Sequence, residues 1–182
     1  MVYAGADGFD DVIVGLRLIG QVLDASDEAE TVVADLEDRK AQLLQRLPVQ
    51  GPRILVLNGT PDDFFAAKPG SYIGDLVDLL GGENVAAGAP DVGRVPGYTR
   101  LSPETILTSA PDVVLAITAG PPGGTTITDS LSSNPAWADI PAVTSGRVTE
   151  IDAEVYLQAP GPRAGEALAE LAKLLYPEVF GS

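Results

Sequence analysis

The chain has 182 residues, of which 45% are hydrophobic, and a formal net charge of −15 at pH 7. That charge argues against nucleic acid and against adsorption to anionic lipid, since both partners call for a basic face. Cysteine and histidine are absent and the only methionine is residue 1, which excludes disulfides, thiolate metal sites and every histidine-dependent catalytic arrangement.

The first 48 residues are predicted to be helical. Apolar residues at helical spacing run from Phe9 to Leu23, and a second stripe runs from Val32 to Leu47. A polar break at residues 26–28 separates the two stripes. Asp27 with Glu30 resembles a capping box, so the helix is expected to restart there.

From Gly51 onward, predicted strands alternate with predicted helices. The strands are expected at residues 53–58, 112–118 and 147–151, with a short one near 84–86. The helices are expected at residues 71–80, 102–110 and 163–175, with a weak one at 129–133 and a long irregular loop before residue 101. This alternation predicts a three-layer, Rossmann-like α/β lobe with a mostly parallel sheet.

Three predicted segments converge beyond the carboxyl ends of the strands, which is where doubly wound sheets hold their ligands. They are residues 58–70, 119–124 and 152–162. The middle segment, AGPPGG, has almost no side chains, so its backbone can approach a bulky ligand or a facing surface. The alternative, that glycine and proline only form the turn, stays open.

Four phrases follow one another at plausible spacing in the second part of the chain: SYIGDLVDLLGGENVA, YTRLSPETILTSAPDVVLA, NPAWADIPAVTSGRVTEID and GPRAGEALAELAKLLYPE. In that order they resemble the second lobe of class III ABC-transporter substrate-binding proteins, the receptors for iron-siderophores, haem and cobalamin. Upstream, GFDDVIVGLRLIGQVLDASDEAE resembles the long backbone helix that joins the two lobes in that family. The resemblance covers roughly residues 9–178.

The resemblance implies a backbone-helix region at residues 1–50 and a C-terminal α/β lobe at residues 51–182. In the family a first lobe precedes the backbone helix, and here residues 2–4 are the candidate for its last strand. We therefore expect a receptor fragment whose exposed helix pairs with the missing first lobe or self-associates. The full-length form is expected to be extracytoplasmic, either periplasmic or a membrane-anchored lipoprotein.

The resemblance also implies ligand contacts in the loops that face the cleft. The candidate ligand-binding residues are Asn58, Phe64, Tyr98, Arg100, Gly120, Tyr156 and Arg163, with Arg94 as a further basic residue near Tyr98. Tyr98 occupies the place at which the family can supply an aromatic that packs on the ligand, although it equally suits a tyrosine covering the sheet edge. Arg163 suits bidentate contact with a carboxylate or catecholate, and equally suits a solvated helix start.

Glu104 is predicted at the second position of a helix, where a carboxylate complements the N-terminal dipole. In the family, an acidic residue at this place on each lobe docks into arginines of the membrane permease. The resemblance therefore implies that Glu104 is a permease-docking residue and that the ABC permease is the macromolecular partner.

The functional prediction is a non-enzymatic substrate-binding component of an ABC importer for a ferric siderophore or related iron complex, with no cofactor. A siderophore brings its own iron ligands, whereas haem would find only tyrosine as an axial ligand on this lobe. Haem and cobalamin are the alternatives within the family. Outside it, the alternatives are an interaction domain and a nucleotide-binding enzyme domain, but GPPGG lacks the GxGxxG spacing and the phosphate-loop lysine.

Overall fold

The computed structural model describes residues 7–92, 96–121, 123–158 and 161–181. The predictions for residues 2–4 and for Arg94 lie outside these ranges. The α-helices are α1 (Phe9–Val22), α2 (Ser26–Leu44), α3 (Tyr72–Leu79), α4 (Pro103–Ser109), α5 (Ile127–Ser133), α6 (Pro141–Thr144), α7 (Ala164–Leu175) and α8 (Pro177–Phe180). The strands are β1 (Arg53–Gly59), β2 (Phe64–Ala67), β3 (Glu83–Asn84), β4 (Tyr98–Thr99), β5 (Val113–Thr118) and β6 (Val148–Glu150).

The strands form one mixed, mostly parallel sheet in the order β4-β2-β1-β5-β6, and β3 pairs with the start of β1. Strands β1, β3, β5 and β6 are parallel, whereas β2 runs antiparallel to β1 and β4 antiparallel to β2. Because β1, β5 and β6 are parallel, their carboxyl ends lie at the same edge of the sheet. The predicted α/β class is confirmed.

Side chains alternate between the two faces of the sheet and build a core on each. In β1, Ile54 and Val56 pack into the core beneath α1, α2, α3 and α7, which we call the hairpin-side core. Leu55 and Leu57 point the other way, into a core with α4, α5, α6 and Trp137. This period-two burial of a central strand gives the predicted three layers.

The predicted backbone-helix region contains two helices in the structure, of which α2 is the longer with 19 residues. Helix α1 ends at Val22, Asp24 takes a positive φ of 54°, and α2 begins at Ser26. The predicted restart is therefore confirmed, but it uses no capping box, since Ala25 occupies the N-cap and its side chain offers no hydrogen bond.

The two helices form an antiparallel hairpin that packs on the lobe. Ion pairs join Arg17 to Glu30 and Lys40 to Asp10, so residues early in α1 face residues late in α2. Gly20 is required at the closed end, because a Cβ there would lie 2.4 Å from the Cβ of Ala29. The division of the chain at residue 50 stays a prediction, and the hairpin-side core draws side chains from both parts.

The prediction of an irregular loop before residue 101 is wrong at β4, and the segment at 58–70 contains β2, a strand that was not predicted. Thr60 and Asp63 close the β1–β2 hairpin through reciprocal backbone hydrogen bonds of 2.9 and 3.2 Å. Strands of four and two residues are too short for an alternating pattern to reveal them in the sequence. Among the described helices, none combines the length and the apolar character that a membrane span requires.

Candidate functional site

The carboxyl ends of β1, β5 and β6 surround an open groove of about 530 Å³, which we call the carboxyl-edge groove. Its lining consists of residues 60–61, 118–121, 123–126, 150–151 and 153. Most of this lining is glycine, alanine, proline and threonine, so the wall of the groove is largely backbone and small side chains. Of the predicted ligand residues, Gly120 lies here.

The glycine-rich loop of the groove is anchored at both ends. Oγ1 of Thr118, the last residue of β5, accepts the N–H of Ile127 at 2.9 Å. Glu150, the last residue of β6, accepts the Thr118 N–H on Oε1 and the Thr128 hydroxyl on Oε2, both at 2.6 Å. These bonds tie the end of β5, the start of α5 and the end of β6 together, and the loop between them runs free of bulky side chains.

The open space in front of this loop can be measured at its glycines. A Cβ built on Gly120 or on Gly123 would meet no heavy atom within 4 Å. Gly123 has a φ of +80°, a conformation that L side chains rarely adopt. The loop therefore turns at a residue that favours glycine and presents its backbone to open space.

Phe64 and Arg100 come together in a smaller cavity of about 210 Å³ beside the β1–β2 turn. The Arg100 guanidinium donates hydrogen bonds to both carboxylate oxygens of Asp63 and lies 4.3 Å from the ring centroid of Phe65. The hydrogen bond from Arg100 lowers the pKa of Asp63, which is the expected effect of a paired cation. Arg100 thus forms an exposed intramolecular ion pair with Asp63.

Tyr98 and Asn58 lie away from the carboxyl-edge groove. Tyr98 is half-buried in the edge strand β4, opposite Ala67, and packs against the hairpin-side core, where burial raises its pKa. This position matches the alternative in which the tyrosine covers the sheet edge. Asn58 is half-buried in β1 between Phe65 of β2 and Ile117 of β5, and it does not line the groove.

Tyr156 is a core residue, which corrects its assignment as a ligand contact. Its side chain is 3% exposed and its hydroxyl donates to the carbonyl of Ala167 in α7 at 3.1 Å. Burial raises its pKa. A turn of π-helix over Glu154–Gln158, where the sequence predicted loop, carries the ring inward. Arg163 is exposed at the N-cap of α7 and does not line the groove.

Glu104 lies fully exposed at the start of α4, as predicted. Ser102 caps this helix by accepting the Thr105 N–H at 3.2 Å. Hydrogen bonds to its own backbone N–H and to Ser102 lower the pKa of Glu104. These contacts account for a carboxylate at this position through the helix terminus alone, so its docking role stays a prediction.

Sequence reasoning pointed to the edge of the sheet at which the groove lies, but it did not single out Glu150 or its partners Thr118 and Thr128. The available signal was positional: Thr118 closes a predicted strand, and Glu150 is the penultimate residue of another. The carboxyl ends of parallel strands lie at one edge of a sheet, so polar residues at these ends come close together there. Within the described ranges, no group of three acidic side chains is arranged to hold a metal ion.

Residues 2–155 match the profile of the periplasmic binding proteins. The chain belongs to that family. The resemblance to class III ABC-transporter substrate-binding proteins is thereby confirmed, and so is the three-layer α/β architecture expected from it. The match includes both helices of the hairpin and runs through β6 into the π-helical turn.

Known relatives of this periplasmic binding protein chain extend beyond it. The cobalamin-binding protein of Halobacterium salinarum is 25% identical over 177 residues, which are 96% of this chain and 46% of the relative. The high-affinity heme uptake system protein IsdE of Staphylococcus aureus is 26% identical over 160 residues, 87% of this chain and 51% of the relative. The chain thus spans about half the length of the curated relatives it matches.

Solved structures of the same family show the same fold. An ABC transporter substrate-binding protein from Listeria monocytogenes superposes with a TM-score of 0.83 at 26% identity, covering 97% of this chain and 67% of that one. The periplasmic heme-binding protein RhuT from Roseiflexus superposes with a TM-score of 0.76 at 29% identity, covering 95% and 65%.

Proposed function

We propose that this chain forms the C-terminal part of the substrate-binding component of an ABC importer and that it captures a ferric siderophore or a related iron complex. In its full-length form the receptor works outside the cytoplasm and delivers its ligand to an ABC permease. Family membership supports the importer role, and the carboxyl-edge groove supports ligand capture. The proposed role is non-enzymatic, and membership in a family of solute-binding proteins supports it.

The observation that carries the proposal is the wide, backbone-walled groove at the carboxyl edge. A groove of about 530 Å³ lies in the size range of small-molecule sites. Glycine and proline walls let the main chain approach a bulky ligand closely. A chelate that already satisfies its metal needs shape and surface from the protein, and this chain, without histidine or cysteine, contributes those rather than soft metal ligands.

Haem or cobalamin is the second candidate, and the relatives favour it. One relative is named for cobalamin and another for heme uptake, each at 25–26% identity. Cobalamin, like a siderophore, supplies its own metal ligands. For haem, the axial ligand that this chain could offer to the iron is a tyrosine oxygen. The two tyrosines predicted as ligand contacts, Tyr98 and Tyr156, both lie away from the groove.

Calorimetric titration of the chain with ferrichrome, ferric enterobactin, haem, cyanocobalamin and ATP tests the proposal. We expect at least one iron chelate to bind, and ATP not to bind. Gly120→Leu should weaken that binding because it fills open space in the groove, whereas Gly88→Leu is the matched control at another glycine with open space. Binding of ATP alone, or equal loss in both variants, would argue against the proposed site.

A further inference from the structure

We infer that the carboxyl-edge groove selects an iron chelate without net negative charge, the class to which ferric trihydroxamates belong. This inference rests on the proposed function and specifies its ligand. Three hydroxamate monoanions balance the charge of one ferric ion, so the complex is neutral, and a pendant amine makes it cationic. Three catecholate dianions leave the ferric complex with three negative charges, and haem carries two propionates.

Carboxylates lie in the groove and next to it in the chain. Glu150 lines its wall, and Asp62, Asp152 and Glu154 are each the immediate neighbour of a lining residue. Asp63 follows Asp62, and all five carboxylates are exposed. In the part of the chain that the structure describes, Asp63 is the one member of this set with a lysine or arginine within 4 Å, namely Arg100. These five carboxylates, which we call the rim of the groove, therefore carry a net negative charge, and the formal charge of the whole chain is −15.

The groove's own lining adds to the same field. Glu150 is the one ionisable side chain among the described lining residues, and its two hydrogen bonds to Thr118 and Thr128 hold it in place. Two arginines of the predicted ligand set lie away from the groove: Arg100 binds Asp63, and Arg163 occupies the N-cap position of α7. Among the described lining residues, an anionic ligand would therefore meet the carboxylate of Glu150 without a compensating guanidinium.

The size of the effect follows from Coulomb's law. A unit charge on the ligand at about 8 Å from one carboxylate, at an effective dielectric constant of about 40, changes the affinity by roughly fivefold. For a trianion near several carboxylates, the loss of affinity is larger, because each pair of charges adds its own repulsion. The affinity of a neutral chelate does not depend on this repulsion. Added salt screens the repulsion, since the Debye length is about 8 Å at physiological ionic strength.

Titration of the chain with three probes tests the inference: ferrioxamine B as the cationic chelate, ferrichrome as the neutral one and ferric enterobactin as the trianion. We expect the cationic and neutral chelates to bind at least about tenfold more tightly than the trianion at low salt, and the difference to shrink at high salt. Titrations extend to roughly 1 mM ligand so that weak binding is measured.

Charge variants identify the groove as the origin of the preference. Glu150→Gln keeps the shape of the side chain and should improve the relative affinity for the trianion by at least about fivefold, the effect of a single unit charge. Glu28→Gln, at an exposed residue of α2, makes the same change of charge away from the groove and should not. Gly120→Arg has room for its side chain and should favour the trianion, against Gly120→Gln as the uncharged control.

The outcomes separate the inference from the proposed function. Preferential binding of the cationic and neutral chelates, reduced by Glu150→Gln, supports both. Binding of ferric enterobactin as tight as or tighter than that of the hydroxamates overturns the charge inference and leaves the proposed function standing. No binding of any chelate, with haem and cyanocobalamin included in the titration, overturns the proposed function and the inference with it.

Discussion

Replacing Tyr156 distinguishes a core role from a ligand-binding role for this residue. In Tyr156→Phe the ring stays, and only the hydroxyl that donates to the Ala167 carbonyl at 3.1 Å is lost. Because Ala167 lies inside α7, its carbonyl still accepts an intrahelical hydrogen bond, so the expected loss is about 0.5–1.5 kcal/mol in the free energy of unfolding. Tyr156→Ala also removes a ring that is 3% exposed, and the expected loss is about 3–5 kcal/mol.

The assay is denaturant unfolding followed by circular dichroism, combined with the calorimetric titrations. Tyr98→Ala is the comparison, because the half-buried ring of Tyr98 should cost less stability than that of Tyr156. Ligand affinity of Tyr156→Phe should equal that of the parent chain. If Tyr156→Phe loses affinity while its unfolding free energy is unchanged, the placement of Tyr156 in the core is refuted.

Three further predictions concern a buried hydroxyl, an exposed helix face and a surface carboxylate. The Tyr72 hydroxyl is buried without a hydrogen-bond partner among the described residues, so Tyr72→Phe should leave the free energy of unfolding unchanged or raise it by up to about 1 kcal/mol. Burial raises the pKa of Tyr72, so this group stays protonated in the folded chain after unfolded tyrosine ionises. Above roughly pH 10, Tyr72 alone should therefore lower stability by up to about 1.4 kcal/mol per pH unit, and the fall should be less steep in Tyr72→Phe. The outer face of α1 exposes Val14, Leu18 and Val22 by 64%, 40% and 66%, so the chain should self-associate in light scattering and Leu18→Glu should reduce this; a parent chain that stays monomeric at high concentration would contradict it. In the full-length receptor, Glu104→Gln should leave ligand affinity intact and reduce uptake into reconstituted vesicles, and unchanged uptake would exclude docking through Glu104.

Much of the fold was predictable because burial on both faces leaves a strong trace in the sequence. Strand β5 is an uninterrupted apolar run, and such runs identify the central strands of a parallel sheet. The helical hairpin was harder, since the apolar stripes of α1 and α2 suit one broken helix as well as two antiparallel ones. The turn depends on a tertiary contact, the approach of Ala29 to Gly20, which helical periodicity does not report.

The position of the groove was predictable, and the side chains around it were poorly predictable. Parallel topology alone puts the ends of β1, β5 and β6 at one edge, and Gly120 lies in the groove there, while its contact with a ligand stays a prediction. Tyr156 was misplaced because a π-helical turn rotates it into the core, and local sequence carries no signal for that turn. Arg100 was predicted to face a ligand, and in the structure its guanidinium forms a bidentate ion pair with Asp63 that the sequence pattern did not indicate.

The glycine-rich loop is useful as a binding surface because its ends are fixed. A loop without side chains has many accessible conformations, and ordering it on ligand binding would cost conformational entropy. The hydrogen bonds of Thr118 and Glu150 fix the end of β5 against α5 and β6 in the folded chain. Part of the loop's conformational entropy is therefore lost on folding, before a ligand binds. The groove therefore offers a preformed backbone wall. Under the charge inference, discrimination among chelates depends on the carboxylates in and next to the groove. The carboxylate of Glu150, fixed by the same hydrogen bonds that anchor the loop, brings a negative charge to the wall itself.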